Sequence, residues 1–561
     1  MDIDELETTP LWDLYEKHCD FMSTRNIYSD SDLNYRMYNG DQWYGLKIKG
    51  IEKVQHNFIK QIVKQKVSNI TSNLFAINYS PENIENVEFM NMAQKCCELL
   101  NKRASTVWDK DFMDKKVKKW AKQSAINDES IAYVTYNFKD NNPKNEVISK
   151  NDIMYGNENE EEIQLQPYII VRQRKSIIEL QRMAEEQQID PKLVASIKSD
   201  KDTSTIAGDS GKLEVEDKCW LITKFYRKDG TIHFTQATKY CEIKKDRDMG
   251  TFLYPFAHYN WEEQEGNARG IGEVRYLIPN QLETNKTAMR RALTTKNISY
   301  PQKVVNEDSI VNIQDVNKVG STIRFRDKGN FRASDVFMNT TPGQMGRDSA
   351  ELQSELITLS KDLNNVSEST TGNINPESAS GRAILAVQQA QNQPLTDQLI
   401  GLKSFIEDIA RIWFEMWKVN AEDGLVIDYD RPDENGENQT EKIEIPTYIL
   451  DALSTSVKVD ITPKGAFDKY AQELSLENLF TSGKISFEEY VDSLDADSVM
   501  PKVKLENIVK QRREAQQKIA GMQAQANAIM SESNQVMQDQ EEIANIQDIG
   551  NQMVEATSTD M

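Results

Sequence analysis

The residues that could do chemistry in this chain are few, and most fail on spacing. Gly208-Asp209-Ser210-Gly211 has the outline of a serine nucleophile motif. It lies in a polar stretch and is followed by Lys212 rather than glycine, a poor setting for an activated hydroxyl. Gly211-Lys212 is no phosphate-binding loop either. Ile206 stands where the first glycine is needed, and Leu213 where Ser or Thr must hold magnesium. Gly270-Ile271-Gly272 opens a helical stretch, but Arg275 replaces the third glycine of a dinucleotide fingerprint. Asp428-Tyr429-Asp430 begins like a calcium loop until Pro432 takes the third ligand position. His18, His56, His233 and His258 are scattered, without metal spacing to the cysteines. No catalytic residue, metal site or cofactor is expected.

What remains is chemistry of contact. Lys286, Arg290 and Arg291, with Lys296 beyond, place positive charge along the C-terminal half of a helical segment. Such charge suits a helix C-terminus as a solvated face, or it contacts DNA or a neighbouring subunit. Ser367–Gly381 is a loop of Gly, Pro and hydroxyl residues. Its small polar side chains would touch a polyanion weakly, and structureless loops of about 15 residues are usually functional or disordered. Trp413 and Trp417, one helical turn apart, read as core or subunit interface.

Bulk properties set the frame for these segments. A chain of 561 residues predicts three or four domains or sub-domains. The 89 acidic and 67 basic residues give a formal net charge of −22. A protein that grips DNA is usually basic, so this is no ordinary DNA-binding domain. A channel wall along which DNA slides has the opposite requirement, and the acidity suits it, as it suits many soluble proteins. Cys19, Cys96, Cys97, Cys219 and Cys241 are odd in number and irregularly spaced, which reads as reduced thiols. No run approaches the ~18 apolar residues of a membrane span, and the acidic N-terminus argues against a secretory signal.

Periodicity predicts helices over Asn57–Leu74, 86–109 and 113–127, then a strand at Ile131–Phe138. Asn141–Gln166 reads as polar and acidic, with a solvated loop at Asn157–Glu162. Tyr168–Arg172 reads as a strand, Ser176–Glu185 as a helix, and Ser199–Gly211 as mobile. Cys219–Tyr226 and Thr231–Tyr240 flank Asp229-Gly230, a hairpin signal. Gly266–Gly272 runs into a helix at Glu273–Asn297 with an apolar stripe of Val274, Ile278, Leu282, Met289 and Leu293. Tyr300–Met338 is strand-like, with Lys303–Val305 and an alternating Ser321–Arg326. Helical pattern resumes at Gln344–Leu363 through Leu352, Leu356, Leu359 and Leu363. Arg382–Asn420 carries a heptad-like series, Leu395, Leu399, Leu402, Ile406, Ile409, Trp413 and Met416, with a kink expected at Pro394. Beyond it lie a turn at Asn435-Gly436, a strand at Ser456–Ile461, helices from Ala466 to Gln517, and a Gln-, Ala- and Met-rich tail.

An ordered set of these features resembles the portal proteins of tailed bacteriophages over roughly residues 30–480, most of all the short-tailed Salmonella-phage type. The set is Tyr38-Asn39-Gly40-Asp41-Gln42-Trp43, then Tyr254-Pro255-Phe256, Gly270-Ile271-Gly272, Gln281, Asn285, and Ser380-Gly381-Arg382-Ala383-Ile384. The resemblance implies an α+β, predominantly helical portal fold around a central channel. Residues 1–265 would be the wing, 266–298 the stem helix, 299–340 the clip, and 341–366 the second stem helix. Residues 367–381 would be the tunnel loop, 382–465 the kinked helix and its return to the wing, 466–510 the crown, and 511–561 a helical, partly disordered tail. Ser367, Thr370, Thr371, Asn373, Asn375, Ser378 and Ser380 would face DNA. Lys286, Arg290 and Arg291 are stem candidates, and Lys303, Arg324 and Arg326 are clip candidates.

The resemblance further implies a homo-oligomeric ring of twelve subunits at one capsid vertex. Double-stranded DNA slides through such a ring without sequence preference. The terminase large subunit, the major capsid protein, and neck or adaptor and tail proteins are the implied partners, with no membrane. Its place is the virion, and the host cytoplasm during assembly. Portals are not enzymes, since the terminase drives DNA movement. Two other readings stay open: a large helical virion scaffold or adaptor without a channel, and a hydrolase using Ser210.

Overall fold

The computed structural model describes residues 7–46, 53–82, 87–199, 218–299, 348–364, 393–420, 424–432, 438–453, 455–462 and 476–494, with shorter stretches inside 303–339 and 504–512. The elements in chain order are α1 (Pro10–Thr24), α2 (Ile27–Asn39), α3 (Phe58–Thr71), β1 (Leu74–Pro81), α4 (Val87–Lys110) and α5 (Met113–Asn127). Next come β2 (Glu129–Asn137), β3 (Asn142–Ile148), β4 (Ile153–Tyr155), β5 (Tyr168–Ser176), α6 (Ile177–Glu186) and α7 (Pro191–Ala195). Strands follow: β6 (Lys218–Lys228), β7 (Thr231–Ala237), β8 (Glu242–Asp248), β9 (Phe256–Asn260), β10 (Glu262–Gln264) and β11 (Asn267–Ile271). Then α8 (Glu273–Ser299), β12 (Lys303–Val305), β13 (Phe337–Asn339), α9 (Asp348–Leu363) and α10 (Thr396–Asn420). Last are β14 (Leu425–Pro432), β15 (Asn438–Ile445), α11 (Thr447–Ala452), β16 (Thr455–Thr462) and α12 (Phe487–Asp492).

The class is α+β, and among the described residues helix outweighs strand at 52% against 25%. A five-stranded antiparallel sheet runs β4-β5-β6-β7-β8, and a three-stranded one runs β3-β2-β9. β1 pairs antiparallel with β16 from Leu74↔Thr462 to Pro81↔Thr455, joining distant parts of the chain. The β6–β7 turn places Asp229 and Gly230 at φ 53° and 95°, the double left-handed geometry that Asp-Gly favours. Helix α2 ends at Gly40, φ 94°, whose N–H reaches Arg36 O.

The main core gathers α3, α4, α5 and α10 around Trp120, Phe405, Trp413 and Trp417. A second cluster stacks Tyr133 on Phe256 at 4.9 Å, with Phe225 edge-on to Phe256, between the two larger sheets. A third seats Trp12 and Tyr15 of α1 against Ile170 and Ile222. Residues from Pro463 onward form a separate compact unit, where Tyr490, Val491, Leu494 and Val509 make a small core.

Several expectations need correction. Asn141–Gln166 is not simply a polar stretch, because it holds β3 and β4. Neighbours on β2 and β5 supply pairing that polar residues such as Asn142 and Asn145 do not advertise. Leu74 starts β1 instead of ending a helix. Gly266–Gly272 is not a bare lead-in to a helix, since most of it is β11, paired with β10. Strand β8 was hidden by its charges, Lys244 to Asp248, because its far end is solvent-exposed. Among the described residues, Ser321–Arg326 contributes one bridge, Ile310↔Phe325, instead of a full strand.

The apolar stripes of α8 and α9 are also not what they seem in sequence. On α8 Val274 of the expected stripe is buried and Ile278 and Leu282 pack half-buried on the main core, but Leu277, Gln281, Thr284, Asn285 and Ala288 are buried beside them and Met289 and Leu293 are only half-buried. On α9 the buried positions are Gln353 and Ser360, and Leu352, Leu359 and Leu363 are exposed. By contrast the series on α10 is core: Leu402, Ile406, Ile409, Trp413 and Met416 are buried against β9, β2 and β16 within one chain. Pro394 lies in a short 3-10 turn, Gln393–Leu395, that opens α10. Residues 382–392, and so any kink they make with α10, lie outside the described residues.

Candidate functional site

The glycines of Gly266–Gly272 serve close packing, and Arg269 between them serves charge. A Cβ on Gly270 would stand 2.5 Å from Glu262 O, and one on Gly272 would stand 2.8 Å from Asp128 N. The Gly272 N–H instead donates to Asp128 Oδ1 at 2.8 Å. Asp128, at φ 75°, turns the chain between α5 and β2. Its other carboxylate oxygen pairs with Lys150 Nζ at 2.5 Å.

Arg269 is buried and fully engaged. It forks onto Glu158, with Nε and Nη2 donating at 2.9 and 3.1 Å. Its Nη1 donates to Glu129, and its guanidinium lies 4.8 Å from the Tyr155 ring. Glu129 also accepts from His258 Nε2 at 2.9 Å. Burial pushes the Glu129 carboxyl up, but Arg269, the His258 hydrogen bond and Lys150 outweigh burial and hold it at about 2. Burial likewise disfavours the Arg269 cation, and Glu129 and Glu158 more than restore it. This is a structural ion cluster at the root of α8, with each charge partnered.

Two further contacts fix α8 along its length. Glu273, in its first turn, accepts from Lys66 Nζ at 2.8 Å and from Trp261 Nε1 at 3.2 Å. That explains the lysine inside the apolar face of α3. Two turns on, Gln281 Oε1 accepts the backbone N–H groups of Phe58 and Ile59, which open α3. Gln281 Nε2 donates to His56 O, Asn285 Oδ1 accepts the His56 N–H, and Asn285 Nδ2 donates to Gln42. Gln42 of the aromatic segment, and Gln281 and Asn285 of the long helix, thus belong to one buried polar clamp.

α9 runs back along α8. Asn280 Nδ2 donates to Ser360 Oγ at 3.2 Å, and Arg291 Nη1 donates to Gln353 Oε1. The numbers rise on one helix as they fall on the other, so the pair is antiparallel. Between the two helices in sequence lies the β12–β13 ladder, Lys303↔Asn339 to Val305↔Phe337. Beside it is a small cluster of Ile310, Val316, Val305 and Ile323.

The expected contact residues fall in three groups. Lys286 and Arg290 are exposed on α8 and share Glu283, at 3.6 and 3.2 Å, while Arg291 is tied to α9. Arg324 and Arg326 are exposed, and their backbone N–H groups donate to Asn312 Oδ1 and Ser309 O. Lys303 is placed in β12. Ser367, Thr370, Thr371, Asn373, Asn375, Ser378 and Ser380 lie outside the described residues, as do Ser210 and its neighbours. Asp428–Asp430 is extended backbone in β14, paired with β15, so it is not a calcium loop. Sequence reasoning missed Glu129, Glu158, Asp128 and Lys150. Their only signal is charge beside apolar strands, which is common on any surface. Among the described residues, no helix is long and apolar enough to cross a membrane.

Comparison with protein-family models finds no match to this chain, and comparison with curated proteins finds none either.

Proposed function

We propose that this chain is the subunit of a portal-type ring, a channel at one capsid vertex through which double-stranded DNA is packaged and ejected. The observation that carries the reading is the unit α8–β12–β13–α9. Two antiparallel helices have a small β-rich insert between them, and α8, at 27 residues, spans about 40 Å. The polar clamp at Gln281 and the ion cluster at Arg269 hold α8 to the α/β body as a strut. The acidic chain suits a sleeve that binds phosphate weakly. On this reading, residues 1–265 are the wing, 299–340 the clip, 367–381 the tunnel loop and 466–510 the crown. The protein works as a conduit and docking platform, for terminase and then for neck and tail proteins, and not as an enzyme.

The test is microscopy of the purified chain in negative stain. A ring with a central hole is the expected result, and a monomer or a rod at every concentration overturns the proposal. Deleting 367–381 should leave rings intact and impair DNA packaging or retention. Normal packaging by that deletion overturns the tunnel-loop assignment alone.

A further inference from the structure

Beside the ion cluster lies a groove of two joined cavities. The first, of about 460 Å³, runs along α1. Leu14, Lys17, His18 and Phe21 fall there at i, i+3, i+4 and i+7, so they share one helix face. Tyr155 and Tyr168 line the same cavity. The second, of about 610 Å³, takes in the start of α2 and the first turn of α8, which brings Arg275 and Tyr276. Phe21, Arg25, Glu158 and Asn159 line both cavities, so the two are chambers of one groove. Its Gly156–Asn159 wall is held in shape by buried Gln166, which accepts the Asn157 N–H and donates to Asn157 O and Glu160 O.

The chambers differ in chemistry. The one along α1 is rich in rings, with Phe21, Tyr155, Tyr168 and His18, whose Nε2 lies 3.1 Å from Tyr168 Oη. The other is cationic. Lys150 and Arg269 on its floor are committed to Asp128, Glu129 and Glu158, but its outer cations are not. Among the described residues Lys17 and Arg25 have no carboxylate partner, and Arg275 approaches Asp30 only to 4.0 Å. Arg25 stands 5.7 Å from the Phe21 ring centroid, at the junction of the chambers. The groove is also electropositive inside. Burial, and then the charges of Arg269 and Lys224, hold the His18 imidazole below its ordinary pKa. That is an unusual local field in a chain of net charge −22.

We propose that this groove binds a nucleoside di- or triphosphate, its base in the ring-rich chamber against Phe21 and Tyr168 and its phosphates at Arg25 and Arg275. Each chamber falls in the size range of small-molecule sites, about 300–1,000 Å³. A planar base gains stacking on aromatic side chains. Guanidinium groups meet phosphate oxygens through paired N–H donors. A bare anion or an acidic peptide would use the cations and leave the rings without a partner. Only a ligand with a flat ring at one end and a polyanion at the other uses both chambers. The inference is independent of the ring reading, since every residue in it belongs to one copy of the chain.

Equilibrium dialysis of the full chain against ATP, tripolyphosphate and adenosine tests it. ATP should bind at one site per chain, and tripolyphosphate and adenosine each at least about tenfold more weakly. Arg25→Ala with Arg275→Ala should weaken ATP about tenfold or more and leave adenosine unchanged, which also shows that the groove is intact. Phe21→Ala should weaken ATP and adenosine and leave tripolyphosphate unchanged. Phe21 is 37% exposed and the Arg275 side chain 57%, so these changes remove little from the core. Tripolyphosphate binding as tightly as ATP to the native chain reduces the groove to a patch for any anion and overturns the proposal. So does ATP binding that survives both variants, or no saturable binding of ATP at about 1 mM.

Discussion

Gln281 of α8 caps α3 at Phe58: its carbonyl oxygen accepts the Phe58 N–H at 3.1 Å, across 223 residues of sequence. The first N–H groups of a helix have no partner inside it. Here a fully buried amide from another helix supplies one, and its own NH2 is spent on His56 O and Asn285. Gln281→Leu keeps the volume and removes all of these bonds. It should cost about 3 kcal/mol, the scale of buried backbone groups left unsatisfied. Hydrogen exchange at the Phe58 and Ile59 amides reads the effect locally. Unchanged protection there would show that the cap is not what holds the start of α3.

The Arg269–Glu129 pair gives a pH signature. Glu129 has its folded pKa held at about 2, below its ordinary value. Its contribution is therefore present above the unfolded pKa and fades as pH falls from about 5 toward 2. Glu129→Gln removes the charge and leaves Arg269 partly uncompensated, at a cost of about 3–5 kcal/mol near pH 7. The gap between variant and native protein should narrow on acidification, because protonated Glu129 is itself neutral. Chemical unfolding at pH 7, 5 and 3 measures it, and a gap independent of pH would refute the assignment.

The glycines before α8 make a graded prediction. Gly270→Ala meets backbone at 2.5 Å and should cost about 2–3 kcal/mol. Gly266 has open space around it and φ 67°, so Gly266→Ala should cost only about 1 kcal/mol of backbone strain. Thermal midpoints rank the two, and the reverse order would contradict the packing role.

Trp413 is wholly buried within one chain, donates to Asn145 Oδ1 at 3.1 Å and packs against Trp417. Trp413→Ala should destabilise the folded chain by about 3–5 kcal/mol, even at concentrations too low for assembly. A variant with native stability and altered assembly would return this residue to a subunit interface.

Sequence alone determined what periodicity and turn chemistry can carry. The helices around 57–127, the Asp229-Gly230 hairpin, and the long helices ending near Asn297 and Asn420 were all legible. Local geometry fixes these: 3.6-residue periodicity and left-handed turn residues. The tertiary structure decided what depends on neighbours distant in sequence. β1 and β16 find each other across the chain, β3 and β4 form because β2 and β5 are there to pair, and Glu129 meets Arg269 only when β2 and β11 pack together. It also decided which way the stripes face. The pattern on α10 turns inward and that on α9 outward, because a leucine repeat says that a face is apolar without saying what covers it.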